Sequence, residues 1–410
     1  MYKQEQMFST QVKNKQILLL IGKKGKEYKC MFNLDSIGIP DVESFELGNF
    51  PEGISYSKEE EIISGIPDQA GDYKITLSCV SKHGFIEEKE LMLIILPDPK
   101  DLWKNIPTPT DIEYYKPDCE CKFLKVETKN ALKQKNLIAA SQRGRSHAHE
   151  GNPRDDDFAL HFEEETEWYI MTVADGAGAA KFSRKGSQIA CETVKAVCIE
   201  KLLANKDNFL KYNKSEDNNE IIKILQNIIG SAVYEAYNAI ENEATERQCL
   251  VKDFATTLLL SLCKKFEYGW FVAAWWIGDG GIGIFRKEPE YLKLLGEPDS
   301  GEFAGQTRFL TMPDIIKNEL YKRMQFDIVE DFTAIILMTD GVTDPKFETD
   351  ANLNQIGRWH ELWYDLNGSN EDDLKVDFID NIEQSAEQLL KWLDFWSKGN
   401  HDDRTVAILF

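Results

Sequence analysis

Between Tyr73 and Cys79 the chain alternates. Tyr73, Ile75, Leu77 and Cys79 are apolar, and Lys74, Thr76 and Ser78 between them are polar. A period of two predicts a half-buried strand. Residues 91–96 form a further apolar run of strand length, and Pro51-Glu52-Gly53, Gly65-Ile66-Pro67 and His83-Gly84 supply turn signals between such runs. Residues 16–96 therefore read as all-β. The run Ile17-Leu18-Leu19-Leu20-Ile21 also reads as a strand. It is too short to cross a bilayer, and Lys23 and Lys24 follow it where a leader would carry small residues.

Past residue 132 the pattern changes. Apolar runs at 168–174, 255–263, 270–277, 334–339 and 405–410 predict strands. Helical periodicity covers 183–204, 220–247 and 371–398. In the last of these, Phe378, Ile379, Leu389, Leu390, Leu393 and Trp396 recur at helical spacing and read as core. Pro97, Pro99, Pro107, Pro109 and Pro117, with Tyr114 and Tyr115, lie between the two regions and predict a semi-rigid spacer. The expected organisation is an all-β domain over 13–97, a spacer over 98–131 and an α+β domain over 132–410.

Composition narrows the partners. Of 410 residues, 42% are hydrophobic and 29% charged, which is globular rather than disordered. The net charge of −22 disfavours nucleic acid and anionic membranes, both of which need clustered cations. The acidity reads either as a solubilising surface or as metal-binding carboxylates. Eight cysteines make no disulfide framework in a chain this long. Cys119 and Cys121 lack a second pair at zinc spacing, and Cys191 and Cys198 fit a buried helix face. A reducing cytoplasm is the expected location.

The candidate chemistry is carried by acidic residues at strand ends. Asp155-Asp156-Asp157 precedes one apolar segment, and Asp402-Asp403 precedes another. Asp175-Gly176, Asp279-Gly280 and Asp340-Gly341 follow three more. One Asp-Gly after a strand is a common turn. Five acidic sites abutting strands would, if the strands are neighbours, converge on one point. Such a cluster repels itself unless a hard divalent cation sits in it, and carboxylate oxygens suit Mg²⁺ or Mn²⁺.

Two resemblances follow from motifs in order. Phe50-Pro51-Glu52-Gly53-Ile54-Ser55-Tyr56, Ile63-Ser64-Gly65-Ile66-Pro67 and Ala70-Gly71-Asp72-Tyr73 resemble the bacterial immunoglobulin-like module. That implies a β-sandwich and, with it, a protein partner for this domain, while leaving its role open. The longer resemblance begins at Ser141-Gln142-Arg143-Gly144, His147 and Gly151-Asn152-Pro153-Arg154-Asp155-Asp156-Asp157-Phe158. It continues through Val173-Ala174-Asp175-Gly176, Phe254-Ala255-Thr256-Thr257-Leu258, Ile277-Gly278-Asp279-Gly280 and Glu302-Phe303-Ala304-Gly305-Gln306-Thr307. It ends at Met338-Thr339-Asp340-Gly341-Val342-Thr343-Asp344 and Asp402-Asp403-Arg404-Thr405. In this order the motifs resemble the metal-dependent protein phosphatases, the PPM or type 2C family, and in particular a bacterial subgroup.

That resemblance implies a four-layer α-β-β-α sandwich and hydrolysis of phosphoserine or phosphothreonine in a phosphorylated protein substrate. It implies two Mn²⁺ or Mg²⁺ ions activating a water, with a third, weaker site in some members. Asp175 would bridge the metals, with the Gly176 carbonyl on the second. Asp340 and Asp402 would hold the first. Asp155, standing where the family usually has Glu, would reach the second. Asp344 would serve the third. Asp156 would orient the water. Asp279 reads equally as a strand-end residue or as part of the outer site. Where many members have a phosphate-gripping arginine, this chain has His147, which reads as a phosphate ligand and proton donor or as a loop histidine. Arg143, Arg145 and Arg154 are the other phosphate candidates. Trp359, Trp363 and Tyr364 lie where the family has a variable flap, and read as a substrate-facing surface or a satellite core. Two other readings stay open: a pseudophosphatase scaffold without turnover, and a two-metal hydrolase of a small phosphoester.

Overall fold

The computed structural model describes residues 2–127, 134–213, 218–296, 298–299 and 307–410. The chain forms two compact units, Met1–Trp103 and Lys104–Phe410.

The first unit begins with helix α1 (Tyr2–Asn14), whose Phe8 and Val12, one turn apart, are buried. Strands β1 (Gly22–Lys23) and β2 (Tyr28–Met31), helix α2 (Leu34–Ile37), and strands β3 (Val42–Gly48), β4 (Ile54–Ser57), β5 (Ile62–Gly65), β6 (Gly71–Ser81) and β7 (Ile86–Leu96) follow. They make a four-stranded sheet, ordered β1-β7-β6-β3, and a three-stranded sheet, ordered β2-β5-β4. Both contribute to one core: Cys30, Ile54 and Ile63 from the small sheet, and Ile75, Leu77, Cys79, Leu91 and Leu93 from the large one. The alternation along β6 is therefore the burial pattern itself. Two expectations change. The stretch read as all-β over 16–96 contains a short helix, α2. Residues 17–21 are not a strand: β1 pairs with β7 only over Gly22 and Lys23, and Leu18, Leu20 and Ile21 are exposed.

The second unit contains β8 (Cys119–Leu124), β9 (Leu137–Gln142), α3 (Arg145–Glu150), β10 (Asp157–Glu163), β11 (Trp168–Ala174), α4 (Ser183–Ala204), α5 (Lys206–Lys211) and α6 (Asn219–Glu246). It continues with β12 (Leu258–Phe266), β13 (Gly269–Ile277), β14 (Gly281–Arg286), β15 (Tyr291–Gly296), β16 (Met324–Val329) and β17 (Ala334–Met338). Helices α7 (Asp340–Phe347), α8 (Ile356–Leu366) and α9 (Ser385–Leu393) then precede β18 (Arg404–Leu409). A five-stranded sheet runs β10-β11-β12-β13-β16, and a six-stranded sheet runs β15-β14-β17-β18-β9-β8. The pairings are antiparallel.

Three cores define the layers. Between the sheets, Leu160, Met171, Val173 and Trp270 of one meet Ile284, Ile335, Leu337 and Ala407 of the other. The outer face of the first sheet packs on α4 and α6 through Ile170, Leu260 and Trp275 against Val194, Ile229 and Val233. The outer face of the second packs on α7, α8 and α9 through Ile138, Ile336 and Ile408 against Val342, Trp359 and Leu389. Each central strand is thus covered on both faces, which is why its sequence is continuously apolar rather than alternating.

The helix expected over 371–398 is confined to α9. Asp377 accepts from the amides of Ile379 and Asp380, and Asn370 from those of Asp372 and Leu374. Such side-chain-to-backbone bonds compete with a helical ladder. The stretch expected as a spacer also has structure: β8 pairs with β9 from Cys119 opposite Gln142 to Leu124 opposite Leu137. Trp359 is buried and Trp363 stacks on Phe378, both on the satellite-core side of the two readings, while Tyr364 is exposed.

Candidate active site

The same end of both sheets carries the acidic residues. In the first sheet, β11 ends at Ala174, directly before Asp175, and opposite Asp157 of β10. β13 ends at Ile277, two residues before Asp279. In the second sheet β17 ends at Met338, and α7 starts at Asp340; β18 begins at Arg404, after Asp402 and Asp403. Carboxylate oxygens of Asp175, Asp279 and Asp340 lie within 4.8 Å of one another. Glycine permits this crowding. A Cβ on Gly341 would stand 1.9 Å from the Asp403 carbonyl oxygen, and one on Gly176 would stand 2.7 Å from that of Asp155.

Each member is fixed by neighbours. The amide of Asp175 donates to Thr257 Oγ1 at 2.8 Å, and its carbonyl accepts from Thr256 Oγ1 at 2.9 Å. Oδ2 of the buried Asp156 accepts from Thr339 Oγ1 at 3.0 Å and Thr405 Oγ1 at 2.7 Å. Asp279 accepts from Thr307. Asp402 and Asp344 are exposed at the rim.

His147 and Asp403 form the other half. Asp403 is 2% exposed. It accepts from the Gly144 amide at 2.6 Å, the Asp155 amide at 2.5 Å and His147 Nδ1 at 3.1 Å. Although burial opposes its charge, these donors, His147 foremost, hold its carboxyl below the ordinary value. The other imidazole nitrogen of His147 lies 3.9 Å from Asp155 Oδ2. Burial alone would lower the His147 pKa; the bond and charge of Asp403, with the charges of Asp155 and Asp402, push it up to about 9.

The remaining carboxyls shift the other way. Burial, followed by the Asp403 charge, raises Asp155 to about 6. Burial, followed by the charges of Asp340, Asp156 and Asp402, raises Asp175; burial and the charges of Asp279, Asp402 and Asp156 raise Asp340. Buried oxygens Asp155 Oδ1, Asp156 Oδ1 and Asp279 Oδ1 have no hydrogen-bond partner among the described residues.

Of the arginines expected to grip phosphate, Arg143 and Arg145 make their contacts with other protein groups. Arg143 is buried, donates to Thr108, Asn105 and the carbonyls of Ile106 and Asn152, and pairs with Asp118. Arg145 pairs with Asp394 at 2.7 Å. Arg154 is fully buried and donates from Nη2 to Glu120 at 3.2 Å, while its Nε and Nη1 have no hydrogen-bond partner among the described residues. The positive charges that oppose the rise of the Asp155 carboxyl are those of His147 and, after it, Arg184 on α4, whose guanidinium donates to the Glu113 carbonyl. Arg184 lies in none of the motifs, so periodicity marks it only as a helix residue. Residues 302–306 of the motif series lie outside the described residues.

Among the described residues, no helix is long and apolar enough to cross a membrane. No curated protein matches the chain by sequence. Among solved structures, a serine/threonine phosphatase from S. agalactiae is 14% identical, with a TM-score of 0.40, covering 71% of this chain and 99% of its own. Stp1, a serine/threonine phosphatase from Staphylococcus aureus, is 12% identical (TM-score 0.37; 70% and 96% covered). RsbX in complex with magnesium is 15% identical (TM-score 0.38; 71% and 98% covered). Residues 143–394, more than half of the chain, match the protein phosphatase 2C family, and the chain belongs to that family.

Proposed function

We propose that the chain is a metal-dependent serine/threonine protein phosphatase that hydrolyses phosphomonoesters in a phosphorylated protein substrate. The observation that carries this reading is the convergence of Asp175, Asp279 and Asp340 within 4.8 Å. Asp279 within that cluster, and Asp155 and Asp156 beside it in the motif series, each carry a buried carboxylate oxygen without a hydrogen-bond partner among the described residues. Buried polar atoms without partners need an explanation, and an all-oxygen, anionic donor set suits Mn²⁺ or Mg²⁺. Asp175 with the Gly176 carbonyl, Asp340, Asp402 and Asp155 would hold two such ions, and Asp344 with Asp279 a weaker third. When bound, the ions lower the pKa of water toward neutrality and offset charge on phosphoryl oxygens.

The chain's own residues then have definite tasks. Asp156 is anchored through Oδ2 by two threonine hydroxyls, which leaves Oδ1 to orient the attacking water. His147, bonded through Nδ1 to Asp403, offers its other nitrogen beside Asp155. From there it can bind phosphate and give a proton to the leaving alkoxide. The β-rich first unit is read as an immunoglobulin-like sandwich that engages a protein partner, on the motifs at 50–73 and the shared core of its two sheets.

The test is phosphate release from a phosphothreonine peptide with Mn²⁺ or Mg²⁺, beside EDTA and Asp340→Ala controls. Cation-dependent release that disappears in both controls is expected. Folded protein that releases nothing with either cation would overturn the enzyme reading in favour of a phosphoprotein-binding scaffold.

A further inference from the structure

Residues 104–118 precede the part of the chain that matches the family. They nevertheless form a strap fastened to the elements that carry the acidic cluster. The Ile106 amide donates to the Ala148 carbonyl at 2.8 Å, tying the strap to α3, which bears His147. Further along, Tyr114 packs edge-on against Phe182 and donates to Glu243 of α6 at 2.6 Å.

The strap then buries a lysine. Lys116 is 6% exposed. Its ammonium donates to the Asp156 carbonyl at 3.1 Å and to Ser187 Oγ at 3.1 Å, and pairs with Asp157 at 2.7 Å. Ser187, on α4, donates in turn to the Asp155 carbonyl at 2.5 Å. Asp155 and Asp156 lie just before β10, which starts at Asp157, so no strand partner fixes them. Their carbonyls are held by Lys116 and Ser187, and the Asp155 amide by Asp403. Burying an ammonium is costly unless its hydrogen bonds are met, and here they are met by the backbone and side chains around the acidic pair.

We propose that Lys116 is a positioning residue for the cation site: through the Asp156 carbonyl and Ser187 it sets the reach of the Asp155 and Asp156 carboxylates toward Asp175 and Asp340. This rests on the metal-dependent reading above. The hydrogen bonds and ion pair of Lys116 go to protein groups around the acidic pair, so its effect should fall on cation affinity rather than on the chemical step.

The experiment is Mn²⁺ binding to the full chain by titration calorimetry, with peptide hydrolysis measured across a Mn²⁺ series. Lys116→Met removes the ammonium. Lys116→Met with Asp157→Asn removes the pair together and avoids stranding a buried charge. Ser187→Ala cuts only the link to Asp155. Each variant's metal-free thermal unfolding shows whether it folds. Supporting partners of metal ligands typically contribute 10–100-fold to affinity, so a loss of about tenfold is expected in the double variant and in Ser187→Ala, with kcat recovered at high Mn²⁺. Folded variants that bind Mn²⁺ as the parent does would overturn the positioning role while leaving the phosphatase reading intact. A parent chain that binds no Mn²⁺ would overturn that reading and this inference with it.

Discussion

Asp403 joins parts of the chain that lie far apart in sequence: its donors Gly144, His147 and Asp155 are 259, 256 and 248 positions away. In Asp403→Asn one of these donors meets an NH₂ group instead of an oxygen. Leaving a buried donor unmet costs about 1–3 kcal/mol, so the variant should unfold at lower temperature. It should also let the His147 pKa fall from about 9 toward its ordinary 6.5, because burial then acts with less opposition. NMR titration of the His147 ring reads this directly, and an unmoved titration would refute the link. The contrast with Asp175 and Asp340 shows what a sequence reveals at this scale. An Asp-Gly step after an apolar strand is a local signal, and both residues were legible from it. Asp403 stands next to an expected ligand, yet its role depends on contacts that only folding creates. The same is true of Arg143, whose partners, among them Asn105, Thr108 and Asp118, are brought to it only by folding.

Among the elements, α7 depends on one close approach. Its second residue, Gly341, faces the Asp403 carbonyl, and Arg404 Nε donates to the Gly341 carbonyl at 3.2 Å. Gly341→Ala must push the start of α7 away from the residues before β18. Overpacking of this kind costs about 1–3 kcal/mol, measurable by chemical denaturation, and moving Asp340 should weaken Mn²⁺ binding in the same variant. An alanine variant as stable as the parent would show that the approach is looser than the structure has it. Truncation tests the elements ahead of the family match. A chain beginning at Lys104 keeps β8 and the strap and should retain cation-dependent phosphate release. One beginning at residue 132 loses both, uncovers the edge of β9, and should release no phosphate. Equal activity of the two would remove the strap from any functional account. The central strands and α4 were readable because burial on both faces, or a 3.6-residue period, leaves a strong pattern. β8 was not: none of its residues is buried, and the surrounding prolines speak for a spacer. Helix α1, with only Phe8 and Val12 buried, leaves equally little periodic signal.

For the molecule as a whole, stability, pH and cations are coupled. A carboxyl whose pKa is raised by folding holds its proton more tightly in the folded chain. Its contribution is present below the ordinary 3.8 and is lost as pH rises through the folded value, about 6 for Asp155. Asp175 and Asp340 shift in the same direction. His147 adds to the trend: its contribution is present below 6.5 and lost as pH rises through about 9. Asp403, held below 3.8, opposes it only in acid, where its contribution is lost as pH falls. The metal-free protein should therefore be most stable in mild acid and lose stability steadily toward about pH 9. Cations reverse this, because they bind the deprotonated carboxylates and their stabilisation grows with pH. A ligand at a hundred times its Kd adds about 2.7 kcal/mol, enough to move the melting temperature by several degrees. Tryptophan fluorescence suits the measurement, since every tryptophan except Trp103 lies in the second unit. Melting with EDTA should fall from about pH 5.5 to about pH 8, and the gain on adding Mn²⁺ should be larger at the higher pH. A gain that shrinks with pH would mean that the cation does not act through these carboxylates, since protons and cations compete for the same oxygens.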